Sequence, residues 1–442
     1  MSAPSTVANE KPSRRVTLSP RASFWAAAAF AFLAFAASTA ASPLYRVYED
    51  KFSFAPTTLT LLFTVYIVVL LATLLFFGSV SDYTGRRIVM LAGLALGAAG
   101  CGLFLIAHGV GLLFPARAVQ GVAVGLISGA ASAALFDLQP NGGAAPVVSS
   151  AAPTGGQALG AIGASVLAQY APAPTHLVWW LLLGAFITGV VAVLAMPEPG
   201  TVRPGVVSSL RPHVSVPQAA RGAFATAVPA LVGIWALAGF YLSLGPSLAA
   251  QLLHSMNSLW GGILIFLLTG LAAAASALLA RKNPSAVMLG GCVVLTVGAL
   301  VTFASIETGT SAALFAGTAI AGLGFGPAFM GAYRATVAAA ASDDRTGLIT
   351  AIYIVSYLAT GIPAVLAGIA TSHYGLRKTA LVYSVAVAAL AAVAAGRLVA
   401  RQTAPARAEH GTRHADAPPG PGTVPPCAPL RPRPGQAKAA TR

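Results

Sequence analysis

Apolar residues in this chain come in runs of about 20, each long enough to cross a hydrocarbon core of about 30 Å as a helix. The runs recur from Phe24 to Ala400, bounded by charges, glycines and prolines. They predict helices near 24–45, 58–77, 88–107, 112–137, 146–169 and 176–196, and again near 223–251, 257–280, 285–305, 311–338, 347–371 and 376–397. That makes twelve spans in two sets of six, an all-α membrane protein built as two pseudo-symmetric bundles. Polar segments divide the rest: a tail over 1–23, first bundle 24–196, linker 197–222, second bundle 223–400, and a basic Pro- and Ala-rich tail over 401–442, expected to be disordered because it cannot bury a core.

Echoes between the sets support duplication weakly. Ser42-Pro43-Leu44 near the end of the first run is matched by Gly245-Pro246-Ser247 near the end of the seventh, and Arg86-Arg87 by Arg281-Lys282. Repeats of this kind let a transporter place a site between two bundles that rock against each other.

Charge orients the chain. All but five of the 26 Lys and Arg fall on one side of a twelve-span arrangement, the exceptions being Arg46, Lys51, Arg117, Arg377 and Lys378. By the positive-inside rule that side is cytoplasmic, with both termini there and an inner or plasma membrane as the location. A cleaved signal peptide is the alternative for the start, since a basic segment precedes an Ala-Ser-Thr-Ala-Ala-Ser stretch; the many later spans favour an anchored helix.

Composition removes other classes. A length of 442 residues would suit about three soluble domains. Yet 57% of the residues are hydrophobic and 8% charged, with a mean hydropathy of +0.78, where a soluble protein carries roughly a quarter charged residues. The net charge of +15 would point to nucleic acid in a soluble protein; here the basic residues sit in loops and tails, and no nucleic-acid partner is expected. Cys101, Cys292 and Cys427 support neither a disulfide framework nor a zinc site. No metal, cofactor, nucleophile motif or phosphate loop is recognisable, so the chain is not read as an enzyme or as driven directly by ATP.

The sharpest local pattern is Gly78-Ser-Val-Ser-Asp82-Tyr-Thr-Gly85-Arg86-Arg87, between the second and third runs. Gly78 permits close helix approach, Gly85 a tight turn, and Asp82 sits where lipid ends. Such an acid can latch to a helix N-terminus or an arginine of a neighbouring bundle; a solvated turn is the plainer reading. Arg117-Ala-Val-Gln120-Gly121-Val-Ala-Val-Gly125 places an arginine inside an apolar run, where it faces a cavity or partner, or else snorkels to the interface. Asp137 closes the same run.

With these motifs the chain resembles the major facilitator superfamily over about residues 24–400. The resemblance implies two six-helix bundles around a central cavity and alternating access. It implies a charge relay of Asp82 and Arg86 with Asp137 and the region of Arg345 and Gly347. The Arg117 and Gln120 string is similar to a family motif associated with proton coupling. In the fifth run, Pro153 to Gly163 keeps small residues but has Gly160-Ala161 where family exporters carry Gly-Pro, which degrades the antiport signature.

Polar and aromatic residues stranded in apolar runs mark a cavity: Tyr66, Gln120, Gln157, Tyr241, Tyr353 and Tyr357, the last two sharing a helix face. Tyr45 is read as part of an interfacial aromatic belt. No carboxylate lies deep in a run, which leaves the coupling ion open. A weakly charged aromatic cavity suits an amphiphilic or weakly basic solute. The leading expectation is a monomeric exporter of small drug-like or metabolite molecules by exchange with protons. Uptake of a small polar solute by symport is the alternative, and a non-transporting receptor or embedded enzyme a third.

Overall fold

The computed structural model describes residues 17–139, 144–200, 210, 214–341 and 345–413. Much of the two tails and of the linker, with Arg203, Arg211 and Cys427, lies outside the described residues, as do Asp343 and Asp344.

The described residues fold as helices without strands. They are α1 (Pro20–Phe52), α2 (Pro56–Phe77), α3 (Ser81–Thr84), α4 (Arg86–Leu105), α5 (Val110–Leu138), α6 (Ala144–Tyr170) and α7 (Leu177–Leu194), followed by α8 (Gln218–Ser243), α9 (Gly245–Leu253), α10 (Leu259–Leu279), α11 (Pro284–Thr308), α12 (Ser311–Ala338), α13 (Arg345–Tyr374) and α14 (Leu376–Arg413). Helix is what an apolar chain must adopt in lipid, where each backbone group needs a partner within its own segment. Local chemistry sets the ends. Ser19 caps α1 through the Ala22 amide and Asn283 caps α11 through the Ser285 and Ala286 amides, each followed by a proline at the first helical position.

Twelve of these helices have 18 residues or more, and eleven are also apolar enough to cross a membrane. The exception is α6, whose glycines and serines, with Thr154 and Gln157, lower its hydropathy. Those residues serve packing: α6 lies against α1 and α10. A Cβ on Gly156 or Gly160 would overlap the carbonyls of Phe32 and Ala36 on α1.

Several boundaries differ from expectation, among them α1, which runs from Pro20 to Phe52 where 24–45 was predicted. The seventh run, predicted as 223–251, is two helices, because the chain breaks at Leu244 before Gly245-Pro246, where a proline opens α9. The start of that run moves back from 223 to Gln218, directly after Pro217. The final helix runs on to Arg413, so the tail expected to be unstructured from 401 is helical over its first residues; alanines and arginines there favour helix.

Helices α1 to α7 pack among themselves, as do α8 to α13, with two seams between the groups: α2 against α13, and α6 against α10. The hydrogen bonds that cross between groups, among the described residues, gather at one end. Thr57 bonds the Gly368 carbonyl and, at 2.9 Å, the Ser372 hydroxyl. Thr64 donates to the Gly361 carbonyl, the Ser258 amide to the Gln169 side chain, and Arg46 to the Met256 sulfur. Small residues let the seams close: a Cβ on Gly368 would overlap Thr60, and one on Gly262 would overlap Ser165. This is called the Thr57 end below, and the opposite one the Arg86 end.

Candidate functional site

At the Arg86 end the chain turns from α3 into α4 through Gly85, whose φ of +100° suits glycine. The first amides of α4 then point out unpaired, as at any helix start. Glu198, just past α7, satisfies them: its carboxylate accepts from the Arg86 amide at 2.6 Å and the Arg87 amide at 3.2 Å. The Arg86 side chain pairs with Asp82, donates to the Ser81 hydroxyl at 2.8 Å, and reaches Asp137 at 3.2 Å through Nε. Arg87 donates to the Leu194 carbonyl. On the other side of the loop Gly78 lies against α5, where a Cβ on Gly129 would come 3.0 Å from the Gly78 carbonyl oxygen.

The structure therefore gathers Gly78, Asp82, Gly85, Arg86, Arg87 and Asp137 within the first group. It does not join them to the expected partners on α13 among the described residues. Arg345 donates instead to the Ala340 carbonyl, and the Gly347 carbonyl accepts from the Ser215 amide. Glu198 escaped sequence reasoning. An acid between two prolines after an apolar run looks like loop solvent exposure, and only the fold brings it to α4.

Halfway along the first group, Arg117 on α5 is 1% exposed. It does not snorkel. Its guanidinium donates to the Ser38 carbonyl on α1 at 3.1 Å and to the Gln120 side-chain oxygen, while Gln120 donates to the Ala37 carbonyl at 2.8 Å. The guanidinium carbon stands 4.2 Å from the Tyr66 ring centre and 5.7 Å from that of Tyr45. Tyr45, expected at the interface, is 1% exposed and belongs to this cluster; its position on the inner face of α1 follows from helix rotation, which hydropathy does not report. No carboxylate pairs with Arg117 among the described residues. Arg117 Nε and the Tyr45 hydroxyl are buried without a hydrogen-bond partner. Gly121 and Gly125 make room for α2 beside this arginine, since Cβ atoms there would press on Tyr66, Leu70 and Thr73.

The second group contributes aromatic rings. Trp235 on α8 lies edge-on to Phe325 and Phe329 of α12, with centroids at 5.9 and 5.2 Å, and 6.3 Å from Tyr357 of α13. Tyr333 and Tyr353 extend the cluster. Tyr353 is 37% exposed although it sits in a membrane-length helix. Tyr357 lies one helical turn before Gly361, where α13 meets Thr64 and Ile67 of α2, the helix that carries Tyr66. Two other cavity candidates stand apart. Tyr241 is buried within its own group, its hydroxyl 3.0 Å from that of Thr318. Gln157 offers its carbonyl to Thr39 at 3.0 Å, which ties α6 to α1.

Nothing among the described residues groups three or more His, Cys, Asp or Glu as a metal site would require.

Comparison with known proteins agrees with this architecture. The profile of the family described as Major Facilitator Superfamily matches residues 24–362. Among solved structures, the chain is similar to a peptide transporter, POT, in complex with sulfate, at 15% identity and a TM-score of 0.68, covering 87% of this chain and 94% of that one. It is similar also to the human organic anion transporter MFSD10 (TETRAN), at 15% identity and a TM-score of 0.58, covering 87% of this chain and 100% of the other. No curated protein matches the sequence.

Proposed function

The chain belongs to the major facilitator superfamily, a family of secondary transporters, and on that premise we propose that it exports small drug-like or metabolite molecules by alternating access, in exchange for protons. Two bundles, 24–196 and 223–400, rock about the α2–α13 and α6–α10 seams. Both termini are cytoplasmic, the membrane is the inner or plasma membrane, and one chain is the working unit. Asp82, Arg86 and Asp137 act as the inner charge relay, and Arg117 with Gln120 as the coupling centre.

The observation that carries the reading is Arg117, which is 1% exposed on α5 and stacked on Tyr66 of α2, the helix that packs against α13 of the second group. The side-chain hydrogen bonds between the groups, among the described residues, lie toward the Thr57 end. That distribution suits one end state of a rocking cycle, with the solute path closed at Thr57. An intramembrane arginine is costly and is retained where it serves a pathway.

The test compares cells with and without the gene for accumulation of a panel of toxic compounds, before and after a protonophore. Lower accumulation that vanishes when the gradient collapses is the expected result. Higher accumulation in expressing cells would mean uptake, and unchanged export after collapse would remove proton exchange.

A further inference from the structure

The aromatic cluster holds an unused polar atom. Trp235 Nε1 is a buried donor without an acceptor, in a setting where an unmet donor is costly. Its neighbours Phe325, Phe329 and Tyr357 supply ring faces and edges from two further helices. Across the seam, Arg117 Nε and the Tyr45 hydroxyl are likewise buried and unmet. The shortage in this region is one of acceptors.

Charge points the same way. Aromatic faces attract cations, and a cluster of this kind standing alone would suit an ammonium. Here the buried Arg117 charge is stacked on Tyr66 of α2, and α2 packs directly against α13, which carries Tyr357. Among the described residues no acidic side chain falls at the middle of a membrane-length helix to offset it. An incoming cation would meet repulsion without a counter-charge, whereas an anion would supply one.

We propose that the cluster of Trp235, Phe325, Phe329 and Tyr357 is a solute subsite for a planar aromatic ring bearing an anionic hydrogen-bond acceptor, such as a carboxylate, which Trp235 Nε1 binds and Arg117 favours. This deepens the transport reading and rests on it for the claim that the bound solute is moved. It also revises the solute expected from sequence, from weakly basic to acidic.

The test uses the purified full-length protein in lipid nanodiscs and equilibrium dialysis with two matched pairs of labelled probes, indole-3-acetate against tryptamine and benzoate against benzylamine. The acid of at least one pair is expected to bind about tenfold more tightly than its amine, the equivalent of one charge interaction in a partly desolvated site. Trp235→Phe keeps the ring and removes the donor, and is expected to weaken the acid about fivefold with thermal stability unchanged. Arg117→Met is expected to abolish the preference for acid over amine. Equal or tighter binding of the amines, unaltered acid affinity in Trp235→Phe, or no saturable binding of either acid would overturn the subsite. Proteoliposome flux of the same probes separates the two claims. Binding without flux would leave the subsite standing and count against transport, and flux of other compounds without acid binding would do the reverse.

Discussion

Glu198 stands 2.6 Å from the backbone amide of Arg86, so the segment that leaves the first helix group caps the helix that follows the Asp82 loop. The carboxylate meets both the unpaired amides and the positive end of α4. Linker and loop are thereby tied, and a movement of either must be felt by the other.

Removing that cap has a defined cost. Glu198→Ala is expected to lower stability by about 1 kcal/mol and to slow transport, with Glu198→Gln intermediate because an amide oxygen still accepts. Thermal unfolding in detergent and flux in proteoliposomes measure the two. A variant with full stability and full flux would show the contact to be incidental.

Arg86 bridges Asp82 and Asp137, which are partly exposed, and ion pairs of that exposure contribute only ~0–1 kcal/mol to stability. Asp82→Asn and Asp137→Asn are therefore expected to leave insertion and stability nearly intact while each reduces flux. Since both acids act on one guanidinium, the double variant should lose less than the two single losses combined. Strict additivity in flux would argue against a shared relay.

Thr57 and Ser372 face each other at 2.9 Å between their hydroxyls. Thr57→Cys with Ser372→Cys is expected to cross-link under mild oxidation and to stop flux until reduced, as expected if this end must open. Adding Gly368→Val forces a side chain into Thr60 and should reduce the cross-linking yield severalfold. Full flux in the oxidised protein would mean that the Thr57 end does not open.

Arg117→Lys keeps the charge but not the planar fork that serves the Ser38 carbonyl and Gln120 together. It is expected to lose most flux and about 1–3 kcal/mol of stability, the cost of leaving buried acceptors unmet. Wild-type flux in this variant would reduce Arg117 to a dispensable charge.

The Asp82 loop was legible because its residues are neighbours in sequence: a glycine, an acid, a turn and two arginines within ten positions report their own geometry. Asp137 became legible only through the family resemblance. Trp235, Phe325 and Phe329 were not, because tryptophan and phenylalanine in an apolar run look the same facing lipid as facing a cavity. Tyr45 was misread for that reason, and Tyr241 proved to be buried within its own group, bonded to Thr318.

Lipid as solvent is what made the rest readable. Long apolar runs must become helices there, and charges must collect at their ends, so the helical class and the number of long helices follow from one-dimensional order. Which face of each helix turns inward is decided by packing: glycines that admit a neighbouring backbone, rings that stack, and an arginine that finds carbonyls and tyrosines far away in sequence. Those contacts depend on rotation about each helix axis, and only the assembled structure sets that rotation.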